Sequence, residues 1–393
     1  MIYLLKYGKC IIMKESASIN IVSILLTIIV LLQNGIWLFW YTGAIFSFLF
    51  ITILFLFFIY KQRFKVTYSK VGYIVLSFFV FIIIPFINGG SISGSSVLYL
   101  LLIILLYNSF EEEKTKVLDY LTNILSVIIL ISLPLWIIHT YVVPFPLYNQ
   151  LDLSAFKGND FTVMNNYIFF VTPEQGLSRY RFYSVFDEPG VLGTLSSFVL
   201  FGNRYNFRSK KNIIIFVGAL MTFSFAFILL TLLGVFWQTR KSFSKILKYI
   251  VFLSLSALIL FYFLKDEPSF QNSVISRVTN IFDPETFSRT ESSFNKQYEA
   301  FVNSTSVIWG KGEYATKQIG GAASYKIFIF QYGFVGLFMI LSIYWSLIKR
   351  HTFEALGCLL LFCASFYQRP LLFTAWQLIL FACITSKILS KKC

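Results

Sequence analysis

Long apolar runs recur along the whole chain, each closed by a short polar or basic stretch. A bilayer-spanning helix needs roughly 20 mainly apolar residues. That rule predicts spans near 17–36, 40–60, 71–88, 96–110, 117–141, 187–203, 212–222, 224–238, 247–264, 323–348, 352–367 and 371–388. The expected fold class is an all-α integral membrane protein of about twelve transmembrane helices, forming one polytopic domain over 1–393. Lys6, Lys9 and Lys14 precede the first run without a clear small-residue cleavage site, so the start reads as a membrane anchor.

The stretch 212–238 is long for one helix and short for two. Its flanks decide between them, because Arg204, Arg208, Lys210 and Lys211 precede it and Arg240, Lys241, Lys245 and Lys248 follow. Basic loops stay cytoplasmic, so the number of crossings between these clusters is even. A hairpin turning near Thr222, Phe223 and Ser224 meets that condition. The resulting topology puts two thirds of the 33 Lys and Arg residues, but only one third of the 18 acidic ones, on the inner side. Both termini are then cytoplasmic.

Composition agrees with this pattern. The chain is 57% hydrophobic and 13% charged, about half the charge of a soluble domain. Aromatics reach 19%, with 46 Phe and 23 Tyr, which suits a lipid-facing bundle with interfacial rings. The net charge of +15 lies in short clusters between spans rather than on one face, so nucleic acid is not the expected partner. Cys10, Cys358, Cys363, Cys383 and Cys393 lie in or beside spans or at the termini. They suggest neither a disulfide framework nor a metal site.

Two outer segments, about 142–186 and 265–322, exceed ordinary connections. Both are expected to form ordered, partly helical caps. The first ends in RYRFYSVFDEPGVLGT, residues 179–194. Asp187 is placed to cap a helix, Pro189 to occupy its first turn and Glu188 to lie near the positive end of its dipole. Arg179 and Arg181, just upstream, suit a phosphate or pyrophosphate, although pairing with Asp187 or a lipid headgroup is the alternative. The second segment mixes charges, as an ordinary solvated face does. It ends in WGKGEYATKQIGGAASYKIFIFQYGFVGLF, residues 309–338, whose glycines permit either close approach to a ligand or tight helix packing.

The approach to FDEPGVLG, the later SRTESSFNKQYEAF, then WGKGEY and SYKIFIFQYGFVGL, resemble in their order the O-antigen and capsule polymerase family, often called Wzy. The resemblance covers nearly the whole chain, while each motif alone is degenerate. It implies a polymerase that joins undecaprenyl-pyrophosphate-linked oligosaccharide repeat units on the outer face of the bacterial cytoplasmic membrane. The role is that of a metal-independent glycosyltransferase with no cofactor, working beside a flippase and a chain-length regulator. It places pyrophosphate handling on Arg181 and Arg289, with Arg179 and Arg277 supporting, and Glu188 at the family's Glu-Pro position. Glu188 is the expected base, with Asp187 behind it. Lys311, Tyr314, Lys317 and Arg369 complete the expected substrate-binding set.

Two other readings compete. Related O-antigen ligases carry a functional His before the span that follows the second loop, where this chain has Ser324 and Tyr325. Its only histidines are His139, near the outer end of the fifth span, and His351 on the inner side. His139 reads as a packed interfacial residue more than a base. A flippase of lipid-linked oligosaccharide would need ionisable residues deep in the spans, and these spans hold almost none.

Overall fold

The computed structural model describes residues 18–64, 68–88, 94–153, 163–174, 180–240, 242, 244, 251, 262, 265, 271, 275, 279, 292–312, 315, 325–348, 352–368 and 374–390. Its elements are predominantly helical. Helix α1 is Ser18–Leu32 and α2 is Gly43–Tyr60. Helix α3 runs from Tyr68 to Ile87, with a π-helical segment at Phe79–Ile83. Then follow α4 (Gly94–Asn108), α5 (Glu111–Tyr141), α6 (Pro189–Gly202), α7 (Lys210–Leu220) and α8 (Phe225–Thr239). Helix α9 is Ser292–Val302, and the chain closes with α10 (Tyr325–Ser346), α11 (Phe353–Gln368) and α12 (Ala375–Ser390). Each expected span coincides with one of these helices except 247–264, most of which lies outside the described residues.

Among the described residues, four helices are long and apolar enough to cross a membrane: α2, α3 from Lys70, α5 and α10. The remaining apolar helices are shorter, and α6, with 14 residues, is only ~21 Å long at 1.5 Å per residue. Large apolar side chains project outward from the bundle, among them Ile45, Leu56, Phe86, Phe236 and Phe338. Soluble monomers rarely expose large apolar patches to water. Apolar helices wearing such a surface fit an all-α membrane protein.

Helix α6 lies at the centre, with Pro189, Gly190 and every residue from Leu192 to Gly202 buried. It packs against α8, α7 and α12, while α5 packs against α12 and α7. The expected hairpin is present. Helices α7 and α8 are joined at 221–224, and Thr222, Phe223 and Ser224 are all buried. A short hairpin is tolerated in an apolar surrounding when protein covers its turn. Ser224 caps α8 by accepting the Phe227 N–H at 3.4 Å.

The first outer segment differs from expectation. Its described part is a three-stranded antiparallel sheet, β1 (Asn149–Asp152), β2 (Val163–Asn166) and β3 (Val171–Pro173), in the order β1-β2-β3. In β2 the side chains alternate between half-buried and buried, the period-two pattern of a strand with one covered face. Leu153, Met164, Val171, Trp40 and Tyr183 form the small core beneath it. The second outer segment does carry a helix, α9, whose Phe294 and Phe301 pack with Ile329 and Phe330 of α10.

The two ends of the bundle are built differently. At the end holding the first turn of α5, Arg63 donates to Glu113 at 2.8 Å, and the Glu113 side chain is fully buried. The guanidinium lies 4.1 Å from the Phe110 ring centroid, and the same carboxylate accepts the Phe110 N–H at 2.8 Å. Nearby, Lys387 donates to Asp119 at 2.5 Å and Asn203 at 2.8 Å, and Asn203 donates to Thr122 and Asn212. This basic end is knitted side chain to side chain. The opposite end, which carries the sheet and α9, is the cap end.

Candidate functional site

The segment 180–188 crosses the cap end and is fastened on several sides by its backbone. Phe182 N–H donates to the Met221 carbonyl at 3.0 Å, and Val171 N–H donates to the Ser184 carbonyl at 2.9 Å. Trp37 N–H donates to the Val185 carbonyl at 3.0 Å, Ile36 and Phe186 form a bridge, and Asp187 N–H donates to the Gly35 carbonyl at 2.9 Å. Ser184 and Ser132 share a hydroxyl contact of 2.8 Å. One strip of chain therefore ties together α5, the sheet, the loop after α1 and the α7–α8 turn.

Arg181 completes the attachment. Its Nε donates to the Thr222 carbonyl at 2.9 Å and its Nη2 to the Phe223 carbonyl at 3.3 Å. Phe223 has φ +48, a left-handed turn residue whose carbonyl falls outside any helical ladder. Buried carbonyls need partners, and the guanidinium supplies two N–H groups. Arg181 thus stands at the cap end and holds the hairpin turn.

Asp187 and Glu188 stand at the start of α6, with Pro189 at its first position as expected. The capping role differs from the sequence reading. Glu188, not Asp187, occupies the N-cap position, and its side chain makes no capping hydrogen bond. Asp187 instead lies over Gly35, which has φ +66 and where an added Cβ would sit 2.4 Å from the carboxylate. The extra backbone bond to Gly35 draws Asp187 away from the helix and leaves the N-cap position to its neighbour.

In the second cap, the turn at 308–312 inserts its backbone into a break in α10. Gly333 has φ +66 and ψ −177 inside the helix. Val335 N–H donates to the Ile308 carbonyl at 3.1 Å, and Lys311 N–H donates to the Phe330 carbonyl at 2.7 Å. A Cβ on Gly333 would stand 2.2 Å from the Ile308 carbonyl oxygen, and one on Gly310 would stand 2.3 Å from that of Gln331. Of the two uses the sequence allows these glycines, the observed one is close packing of chain on chain. The Lys311 ammonium rests 5.5 Å from the Phe330 ring centroid. Lys326 donates to Asn295 at 2.7 Å and lies 5.5 Å from the Tyr298 ring centroid. Burial, helped by nearby Tyr325, pushes the Tyr298 phenol up to about 12, so it stays neutral at ordinary pH.

Arg179, Arg277, Arg289, Tyr314, Lys317 and Arg369 lie outside the described residues. Among the described candidates, Arg181, Asp187 and Glu188 share one strip, while Lys311 belongs to the second cap.

A feature beyond the predicted site is a cavity of about 320 Å³ at the edge of the sheet. It is lined by His139, Tyr167, Thr172, Glu174, Tyr180 and Asn165, among others. His139 Nδ1 accepts the Phe145 N–H at 2.8 Å, which leaves the ring proton on Nε2. Its ring packs 4.2 Å from that of Tyr167. The only advance signal was His139 at the end of its span, because the other lining residues meet only once the sheet forms.

No protein-family model, curated protein or solved structure matches this chain.

Proposed function

We propose that the chain is a polysaccharide polymerase of the outer face of the bacterial cytoplasmic membrane, lengthening a glycan carried on undecaprenyl pyrophosphate. Both termini are cytoplasmic in this reading, so the cap end faces outward and the basic end inward. The observation that carries it is the strip 180–188. An arginine and two carboxylates, all half-buried, lie on this one strip at the cap end, on backbone fastened from several elements. A transfer site needs such groups held in fixed relative positions.

The chemistry is a glycosyl transfer. A hydroxyl of the incoming repeat unit attacks the anomeric carbon of the growing chain, and the bond from that carbon to the pyrophosphate oxygen breaks. The pyrophosphate leaves with the electron pair, and Glu188 takes the hydroxyl proton. Arg181 and Arg289 stabilise the charge that develops on the leaving group, the electrostatic contribution that usually dominates such steps. Asp187, Arg179, Arg277, Lys311, Tyr314, Lys317 and Arg369 serve substrate binding. The energy resides in the substrate, so the reading calls for no nucleotide cofactor.

The test is reconstitution of the purified chain with lipid-linked repeat units. Polymerase predicts products longer than one unit, retained on one lipid carrier. A flippase is the second reading, and the broken helix α10 favours it, because discontinuous helices line the substrate sites of many transporters. Translocation of the lipid-linked unit without any lengthening would replace the polymerase reading by that one.

A further inference from the structure

The cavity beside the first sheet combines features that sugar recognition requires. Its described lining holds three rings, those of His139, Tyr167 and Tyr180. Aromatic faces carry partial negative charge and so accept the slightly positive C–H face of a pyranose. The polar groups around them are neutral hydroxyls and amides, from Thr140, Thr172 and Asn165, plus the single carboxylate of Glu174. Among the described residues, no Lys or Arg lines the cavity.

The polar groups are also held in place. Gln150 Nε2 donates to Glu174 Oε1 at 3.0 Å and to Asn165 Oδ1 at 3.2 Å, fixing both side chains relative to each other. Glu174 N–H donates to the Val163 carbonyl at 3.0 Å, which anchors the residue to β2. Asn165 keeps its amide N–H groups as donors, and the carboxylate keeps its second oxygen as acceptor. A donor and an acceptor side by side match a pair of neighbouring ring hydroxyls. The Tyr167 ring packs against Phe170, stacked at 4.8 Å, and His139 at 4.2 Å. Those two rings are themselves only 5.3 Å apart, so the three form a cluster rather than a sandwich around Tyr167. At about 320 Å³ the cavity is at the small end of ligand sites, which run from roughly 300 Å³ upward. That size suits one or two sugar rings rather than a whole repeat unit.

We infer that this cavity is a saccharide subsite, adjoining the Arg181 strip through Tyr180, that grips an uncharged sugar ring between the Tyr167 face and the Glu174–Asn165 pair. The assignment of glycan as ligand rests on the polymerase reading, while the geometry of the cavity does not. Tyr180 lines the cavity and Arg181, the next residue, holds the α7–α8 turn. A ring seated in the subsite therefore lies one residue from the proposed transfer site along the chain.

The experiment is saturation-transfer NMR and titration calorimetry on the purified full chain in detergent. The probe is the repeat-unit oligosaccharide released by mild acid from the surface polysaccharide of the cell of origin. Wild type should transfer saturation to the C–H protons of one ring. Glu174→Gln and Tyr167→Ala should each weaken binding by about tenfold or more, the loss that ~1.4 kcal/mol produces. Tyr167→Phe, which keeps the ring, should bind within about threefold of wild type, less than that energy allows. Unchanged elution and melting of Glu174→Gln separates lost binding from lost folding. No transfer to the sugar, or equal affinity in wild type, Glu174→Gln and Tyr167→Ala, overturns the subsite. Because the readout is binding, a chain that elongates glycan but ignores these substitutions loses the subsite and keeps the polymerase reading. A chain that binds through them yet never elongates loses only the polymerase reading.

Discussion

The two ends of the bundle solve opposite problems. At the basic end, charged side chains are matched to partners, Arg63 to Glu113 in the interior and Lys387 to the exposed Asp119 and to Asn203. At the cap end the fastening is mostly backbone to backbone: 182 to 221, 185 to 37, 187 to 35, and 308–311 to 330–335. Main-chain fastening leaves most side chains there available to line cavities and face ligands, Arg181 on the α7–α8 turn excepted. Side-chain fastening uses them up. Side chains open to a ligand are therefore concentrated at the cap end.

The largest expected effect is at the basic end. Glu113→Ala leaves the Arg63 guanidinium in an apolar setting without its partner and should cost about 3–5 kcal/mol, read as a shift in SDS-induced unfolding in mixed micelles. Replacing both, Arg63→Met with Glu113→Leu, should recover most of the loss, because the pair itself contributes little net stability against well-packed apolar residues. Equal destabilisation in the single and double variants would mean that the pair is not what closes this end.

Next comes the interlock in the second cap. Gly333→Ala forces a side chain into a left-handed backbone and onto the Ile308 carbonyl, neither of which yields cheaply. Strain and overpacking together should cost roughly 2–4 kcal/mol, confined to α9, the 308–312 turn and the upper part of α10. Hydrogen exchange should show faster amides there and unchanged ones at the basic end. Uniform loss of protection would show that the ends are not energetically separate.

A smaller effect sharpens the role of Arg181. Arg181→Lys keeps the charge but reaches one turn carbonyl instead of two, and should cost about 1–2 kcal/mol. The 221–224 turn should become more open to protease. A lysine variant as stable and as protected as wild type would mean that the guanidinium does not hold the turn.

The same physics separates the elements that the sequence reveals from those that it hides. Helix positions were readable because an apolar run of spanning length has few other uses, and the α7–α8 hairpin because its basic flanks demand an even number of crossings. The sheet was not readable. Its strands are four residues or fewer, and β1 and β2 hold polar residues such as Asn149, Gln150, Asn165 and Asn166 that turns also favour. Asp187 was expected to cap α6 because local rules see only its neighbours in sequence. The Gly35 backbone that takes it lies some 150 residues away in the chain. The sugar-sized cavity was hidden for that reason too, since it draws on the end of α5, both later strands and Tyr180.

The central claim is that the cap end performs glycan polymerisation, and the most direct measurement is the length distribution of surface polysaccharide in cells deleted for this chain. Restoration would use wild type, Arg289→Ala, or Lys116→Ala as a basic-end control. The Lys116 pair with Glu112 at 2.9 Å is partly exposed and should contribute only about 0.3–0.5 kcal/mol. The account predicts single repeat units in the deletion, a full ladder with wild type and Lys116→Ala, and single units with a well-expressed Arg289→Ala. A full ladder from the deletion strain, or complete lipid-linked units trapped on the inner leaflet, would contradict it.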